Sequence, residues 1–102
     1  RDLVSVGALA SAFGVRSLDR DHPQRSDRNY WRGPVWANVT WLCAHALDGH
    51  GEPILAAELR RRMSEAVAHG GMREYVLPET GRGLGARDFS WTAALYLRQI
   101  PA

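Results

Sequence analysis

A chain of 102 residues with 45% hydrophobic and 24% charged residues has the make-up of a globular protein and the length of one domain at most. Its net charge of +2 is too small to call for a polyanionic partner, and a single Cys43 with four scattered histidines excludes a disulfide framework and a structural zinc site. No apolar run approaches the roughly 20 residues that cross a membrane, and Arg1-Asp2-Leu3-Val4 lacks both an initial Met and the plan of a signal peptide, so a cytoplasmic chain cut from something longer is expected.

All 13 basic residues are Arg, which reads as the codon bias of a GC-rich, bacterial genome. They form no block beyond Arg60-Arg61-Arg62, a solvated helix face, and the aromatics are not interleaved with a basic stripe, so nucleic-acid binding is not expected. Nothing in the pattern calls for a metal or a cofactor, and Cys43 reads as a small buried hydrophobe.

In chain order, Leu3 to Phe13 is apolar and rich in small residues, and predicts a short helix. Gly14 to Asn29 turns polar, with Asp19, Asp21, Pro23, Ser26 and Asp27 and no period of either kind. Loops longer than about 12–15 residues are uncommon in compact domains unless they do something, so this one is expected to line a site. Three of the four tryptophans then fall between Tyr30 and Trp41, around Tyr30-Trp31-Arg32-Gly33-Pro34-Val35-Trp36. Gly33 allows a sharp turn and Pro34 suits the first position of a helix, so the stretch reads as a polar-aromatic loop that launches one. Flat rings beside an arginine suit a hydroxyl-rich ligand with a flat face, such as a sugar; Trp41 reads as core.

The helix over Pro34 to Leu47 carries Val35, Trp36, Val39, Leu42, Cys43 and Ala46 as its inner stripe, and Asp48-Gly49-His50-Gly51 stops it. A second helix runs from Glu52 to His69, with Ile54, Leu55, Leu59, Met63, Ala66 and Val67 inside and Glu58 and Arg62 paired outside in the favourable order. Gly70-Gly71 caps it. Met72 to Gly85, broken by Pro78, Gly81 and Gly83, is predicted irregular, and Asp88 is expected to cap a last helix over Phe89 to Arg98. Long loops thus alternate with short turns along antiparallel helices, so the two rich loops should converge at one end. Within the second loop Glu74 lies among Arg73, Tyr75 and backbone-exposing glycines, away from any helix face, and is the one carboxylate placed for chemistry. Glu79 reads as an exposed turn residue, and nothing marks out Asp19, Asp21 or Asp27.

Four blocks carry a resemblance. They are Phe13-Gly14-Val15-Arg16-Ser17-Leu18, Asn29-Tyr30-Trp31-Arg32-Gly33-Pro34-Val35-Trp36-Ala37-Asn38, Glu74-Tyr75 with Pro78-Glu79-Thr80-Gly81, and Gly83-Leu84-Gly85 running into Phe89-Ser90-Trp91-Thr92-Ala93-Ala94-Leu95. In this order they resemble the C-terminal part of glycoside hydrolase family 63, which includes processing α-glucosidases and bacterial mannosylglycerate or glucosylglycerate hydrolases. The resemblance implies an all-α fold, the C-terminal portion of an (α/α)6 barrel, with residues 1 to 102 a partial catalytic domain. It also implies an inverting α-glycosidase acting on an α-glucoside or α-mannoside. Glu74 falls on the position of the general base, and Tyr30, Trp31, Arg32, Gly33, Trp36, Tyr75 and Trp91 fall where the sugar is bound. The aspartate general acid belongs to an earlier motif, so the chain is expected to need the missing N-terminal part of its own domain and to be inactive alone. Thr40, Arg82 and Val76-Leu77 depart from the family pattern, and the polar group that the last of these lacks bears on substrate identity. A silent carbohydrate-binding remnant and a trehalase- or debranching-type glucosidase are the other readings the residues allow.

Overall fold

The computed structural model describes residues 9–26 and 28–99. Three helices carry the fold: α1 (Ala37–Gly49), α2 (Pro53–Gly70) and α3 (Ser90–Gln99). Two small antiparallel sheets accompany them, β1 (Ala10–Ser11) with β2 (Gly14–Val15) and β3 (Tyr75–Val76) with β4 (Gly83–Leu84). The expectation of an all-α chain is corrected to that extent. A tight hairpin occupies the C-terminal end of the stretch expected to be a helix over Leu3–Phe13, pairing Ala10 with Val15 and Ser11 with Gly14; positions 3 to 8 lie outside the described residues. Met72–Gly85 is likewise a hairpin, because strands of two residues are too short to show a period in sequence.

The hairpins meet at Val35, which pairs backbone to backbone with Arg16 on one side and with Val76 on the other. Val35 and Val76 exchange both N–H···O bonds at 2.9 Å, and the Ser17 N–H donates to the Pro34 carbonyl at 3.1 Å. This extended link is why α1 does not start at Pro34. Trp36 takes the extended backbone of an N-cap residue, its carbonyl accepts the Thr40 N–H, and the proline that opens a helix is Pro53 of α2.

Helix α1 turns one residue away from its expected face. Thr40 and Ala44 are buried, Val39, Cys43 and Leu47 flank them, and Leu42 and Ala46 face outward. The cause is polar. The Thr40 hydroxyl accepts the Val15 N–H at 3.1 Å, so a hydroxyl sits on the inner face where an apolar stripe would not place one. Gly14 (φ 137°) makes room for it, since a Cβ there would lie 2.5 Å from Thr40 Oγ1. The small Ala44 and Ala56 bring α1 and α2 together with Val15 and Leu59, while Phe13, Val35, Ala66 and Val76 form a second apolar cluster beneath the hairpins. On α2, Leu59, Met63 and Ala66 are buried as expected, but Ile54 is 83% exposed. Gly71 (φ 79°) ends the helix, donating its N–H to Val67. Outside, Glu58 accepts from both Arg61 and Arg62 at 2.7 Å, and Arg62 reaches on to the Ser11 carbonyl, tying α2 to β1. Cys43 is half-buried against the first cluster, and burial pushes its thiol pKa up. No described helix is long and apolar enough to cross a membrane.

Candidate active site

Glu74 immediately precedes β3. Strand register would set it opposite Gly85, yet both of its bonds go one residue further. Its N–H donates to the Ala86 carbonyl at 2.9 Å, and its Oε1 accepts the Ala86 N–H at 3.1 Å. The slip is a bulge at Gly85, whose φ of 72° favours glycine. Space demands glycine as well, because a Cβ would lie 2.6 Å from Glu74 Oε1 and 2.8 Å from the Tyr75 ring. Arg73 spans the same gap, with Nη2 donating to the Gly85 carbonyl at 3.0 Å and Nε buried and unpartnered among the described residues. A carboxylate is therefore held by one oxygen on a backbone N–H, beside a guanidinium, at the mouth of a hairpin. That arrangement suits a group that must point one way.

The rings of the other loop stand beside it. Trp36 is 1% exposed and lies between Trp31, stacked on it at 3.6 Å and 12°, and Tyr75, at 5.1 Å and 24°. Tyr30 meets Trp31, Trp36 and Tyr75 edge-on, and the Trp36 indole N–H donates to the Tyr30 carbonyl at 2.9 Å. Tyr30 has a left-handed φ of 45°, a conformation that bulky residues rarely hold unless their surroundings impose it. Its outer ring and that of Trp31 are open to solvent, so the tier presents two exposed aromatic surfaces on a buried indole floor.

Of the expected sugar-site residues, Tyr30, Trp31, Trp36 and Tyr75 thus form one ring cluster, and Tyr75 links it to Glu74 by chain adjacency. Trp36 itself is buried, with its ring stacked on Trp31 and Tyr75. Trp91 is joined through Phe89, 6.2 Å from Trp91 and 6.5 Å from Trp36, and is half exposed. The Arg32 Nε donates to the Gln24 carbonyl at 2.9 Å, so part of its guanidinium braces the loop. Gly33 is buried, its N–H on the Ser17 hydroxyl at 3.1 Å. Trp41 is half-buried and stacks on His45 instead of entering the core. Asp88 does not cap α3. It sits one residue too early, with φ 49°, and the Phe89 carbonyl takes the first helical N–H, from Ala93. Asp19 accepts from the Asp21 N–H within its own turn. Asp27 lies outside the described residues. Among the described residues no group of three His, Cys, Asp or Glu could hold a metal ion.

Sequence reasoning missed Ala86, whose two backbone groups hold Glu74, and Thr92. The Thr92 hydroxyl is buried and donates to the Arg73 carbonyl at 2.7 Å. Only its place between Phe89 and Leu95 on an inner helix face hinted at it.

Residues 1–92 match the family model described as the mannosylglycerate hydrolase MGH1-like glycoside hydrolase domain. The chain is 44% identical over 86 residues to mannosylglycerate hydrolase MGH1 of Selaginella moellendorffii, covering 84% of this chain and 18% of that protein. It is 34% identical to the mannosyl-oligosaccharide glucosidase of Saccharomyces cerevisiae, over 83% of this chain and 13% of the relative. The crystal structure of the GH63 mannosylglycerate hydrolase of Thermus thermophilus in complex with Tris and D-glycerate superposes with a TM-score of 0.81 at 40% identity, over 85% of this chain and 21% of that one. The chain thus spans about a fifth, or less, of the length of the proteins it matches.

Proposed function

Because this chain belongs to the mannosylglycerate hydrolase MGH1-like family of glycoside hydrolases, we propose that it supplies the general base and part of the sugar site of a larger (α/α)6-barrel domain that hydrolyses an α-mannoside or α-glucoside. The substrate class is a glycosylglycerate or an oligosaccharide, after the relatives named above. The observation that carries the reading is the Glu74 carboxylate, fixed on the Ala86 N–H and next in the chain to Tyr75, whose ring meets that of Tyr30 and, through it, Trp31. Glycoside hydrolysis needs a second carboxyl group to protonate the leaving oxygen, and the resemblance puts it upstream of this segment.

In the proposed mechanism a sugar ring lies against Trp31 and Tyr30, its apolar C–H face on their exposed surfaces. Glu74 takes a proton from a water that attacks the anomeric carbon from the face opposite the leaving oxygen. The glycosidic C–O bond breaks as the new one forms, the aglycone oxygen receives the proton of the upstream acid, and the configuration inverts. With one oxygen kept on Ala86, the other is left to receive the water proton. The test is Glu74→Gln in the complete domain, assayed on mannosylglycerate and glucosylglycerate. Turnover is expected to fall about 10²–10⁴-fold with substrate binding kept. A first-formed product of inverted configuration is expected by NMR; near-normal turnover of the variant would sink the assignment.

A further inference from the structure

Thr92 sits on α3, 19 residues from Arg73 in the chain, with its side chain buried. Its hydroxyl donates to the Arg73 carbonyl at 2.7 Å. That carbonyl belongs to the same peptide unit as the Glu74 N–H, which donates to the Ala86 carbonyl at 2.9 Å. One planar group is therefore gripped at both ends, by a helix on one side and by the hairpin on the other. Tyr75 on the far side of Glu74 is held by its pairing with Leu84, so fixing this plane as well constrains the φ of Glu74 and with it the direction of the Cα–Cβ bond. Without Thr92 the peptide is held at one end, and the bulge at Gly85 gives no second anchor on that side.

We propose that Thr92 is the positioning residue of Glu74. The proposal rests on the reading of Glu74 as the general base. Threonine is suited to the task, since its β-branched side chain is stiff and holds the hydroxyl in few orientations on a helix. The anchor also explains why α3 follows the hairpin so closely. The Phe89 N–H, just before the helix, donates to the Met72 carbonyl at 2.6 Å, so the residue preceding Arg73-Glu74 is tied to the start of the helix that carries Thr92. A base on a loop is thereby referenced to a helix, the more rigid kind of support.

The experiment compares Thr92→Val and Thr92→Ser with the parent in the complete domain, measuring kcat and KM on mannosylglycerate. Valine keeps the shape and deletes the donor, and a displacement of order 1 Å in a reacting group costs about 10²-fold, so kcat is expected to fall about 10- to 100-fold with KM within about twofold. Serine restores the donor and is expected to recover most of the loss. Thr92→Val in a Glu74→Gln background is expected to remove nothing further, because a positioning group has no effect once its target is gone. The proposal is overturned if Thr92→Val keeps parental kcat, if Thr92→Ser is folded and as slow as valine is expected to be, or if the losses multiply in the double variant. The serine arm decides the matter even where the valine variant does not fold. Glu74→Gln alone separates the two claims: lost turnover there with full activity in Thr92→Val removes only the role of Thr92, whereas retained turnover removes the base itself.

Discussion

Trp31 and Trp36 lie within one aromatic tier and five positions of each other, yet their environments assign them different work. Trp36 is covered on both faces by Trp31 and Tyr75 and spends its N–H on the Tyr30 carbonyl, so truncating it opens a hole under the site. Trp36→Ala is expected to cost about 3–5 kcal/mol in stability, read by chemical denaturation of the complete domain. Trp31 keeps 40% of its surface open. Trp31→Ala should change stability less and weaken substrate affinity by up to about tenfold, the scale of one aromatic contact of about 1 kcal/mol. If both variants lose only stability, the exposed rings are not a sugar platform. Leu77 and Arg82, two of the departures, meet through their backbones. The Leu77 N–H donates to the Arg82 carbonyl at 2.9 Å and closes the hairpin through backbone groups that every residue but proline supplies.

Among the elements, helices were readable in the sequence and hairpins were not. The bounds of α2 and its Glu58–Arg62 pair follow from a repeat of 3.6 and from the glycines beyond it, information spread over 18 residues. A two-residue strand has no such redundancy, and β3 is also joined through Val76 to Val35, some 40 positions away, by bonds that leave no trace in local pattern. Glu74 was legible as a candidate from the glycines around it, whereas its anchors Ala86 and Thr92 act through a backbone group and a hydroxyl that look ordinary in sequence. The Glu58 pair also gives α2 a pH signature. Arg61 first, then Arg62, hold the Glu58 carboxyl down from 4.5 to about 2. A folded-state pKa below the unfolded one contributes stability above the unfolded value and loses it as pH falls through the folded one. The stability advantage of the parent over Glu58→Gln is therefore expected to be full above about pH 4.5 and to vanish by about pH 2. A difference between the two that does not change over that window would show that the pair does not couple to folding.

At the scale of the whole molecule the Cα trace spans 33 × 30 × 17 Å, a flattened shape whose short axis holds about two packed helices. That thickness still leaves large apolar side chains uncovered on each of the three helices. Leu42 on α1, Ile54 on α2, and Trp91 and Leu97 on α3 are all exposed, Leu97 by 63%. Trp91, Ala94 and Leu97 recur on α3 at the spacing of one helical face, which is the pattern of a surface meant for another helix. The relatives, of which this chain spans about a fifth or less, are long enough to supply one. Each large side chain left in water forgoes about 1.5–3 kcal/mol of burial, and four of them together rival the roughly 5–15 kcal/mol by which a domain is stable. The 102-residue chain made alone is accordingly expected to be helical by circular dichroism but to melt without a cooperative transition, to bind a hydrophobic dye, and to hydrolyse neither mannosylglycerate nor glucosylglycerate. Substituting Leu42, Ile54 and Leu97 by polar residues should raise its solubility, while in the complete domain the same changes should destabilise the fold, because there the face is expected to be covered. A sharp melt of the monomeric chain, or a complete domain indifferent to the three substitutions, would show that this face belongs to solvent.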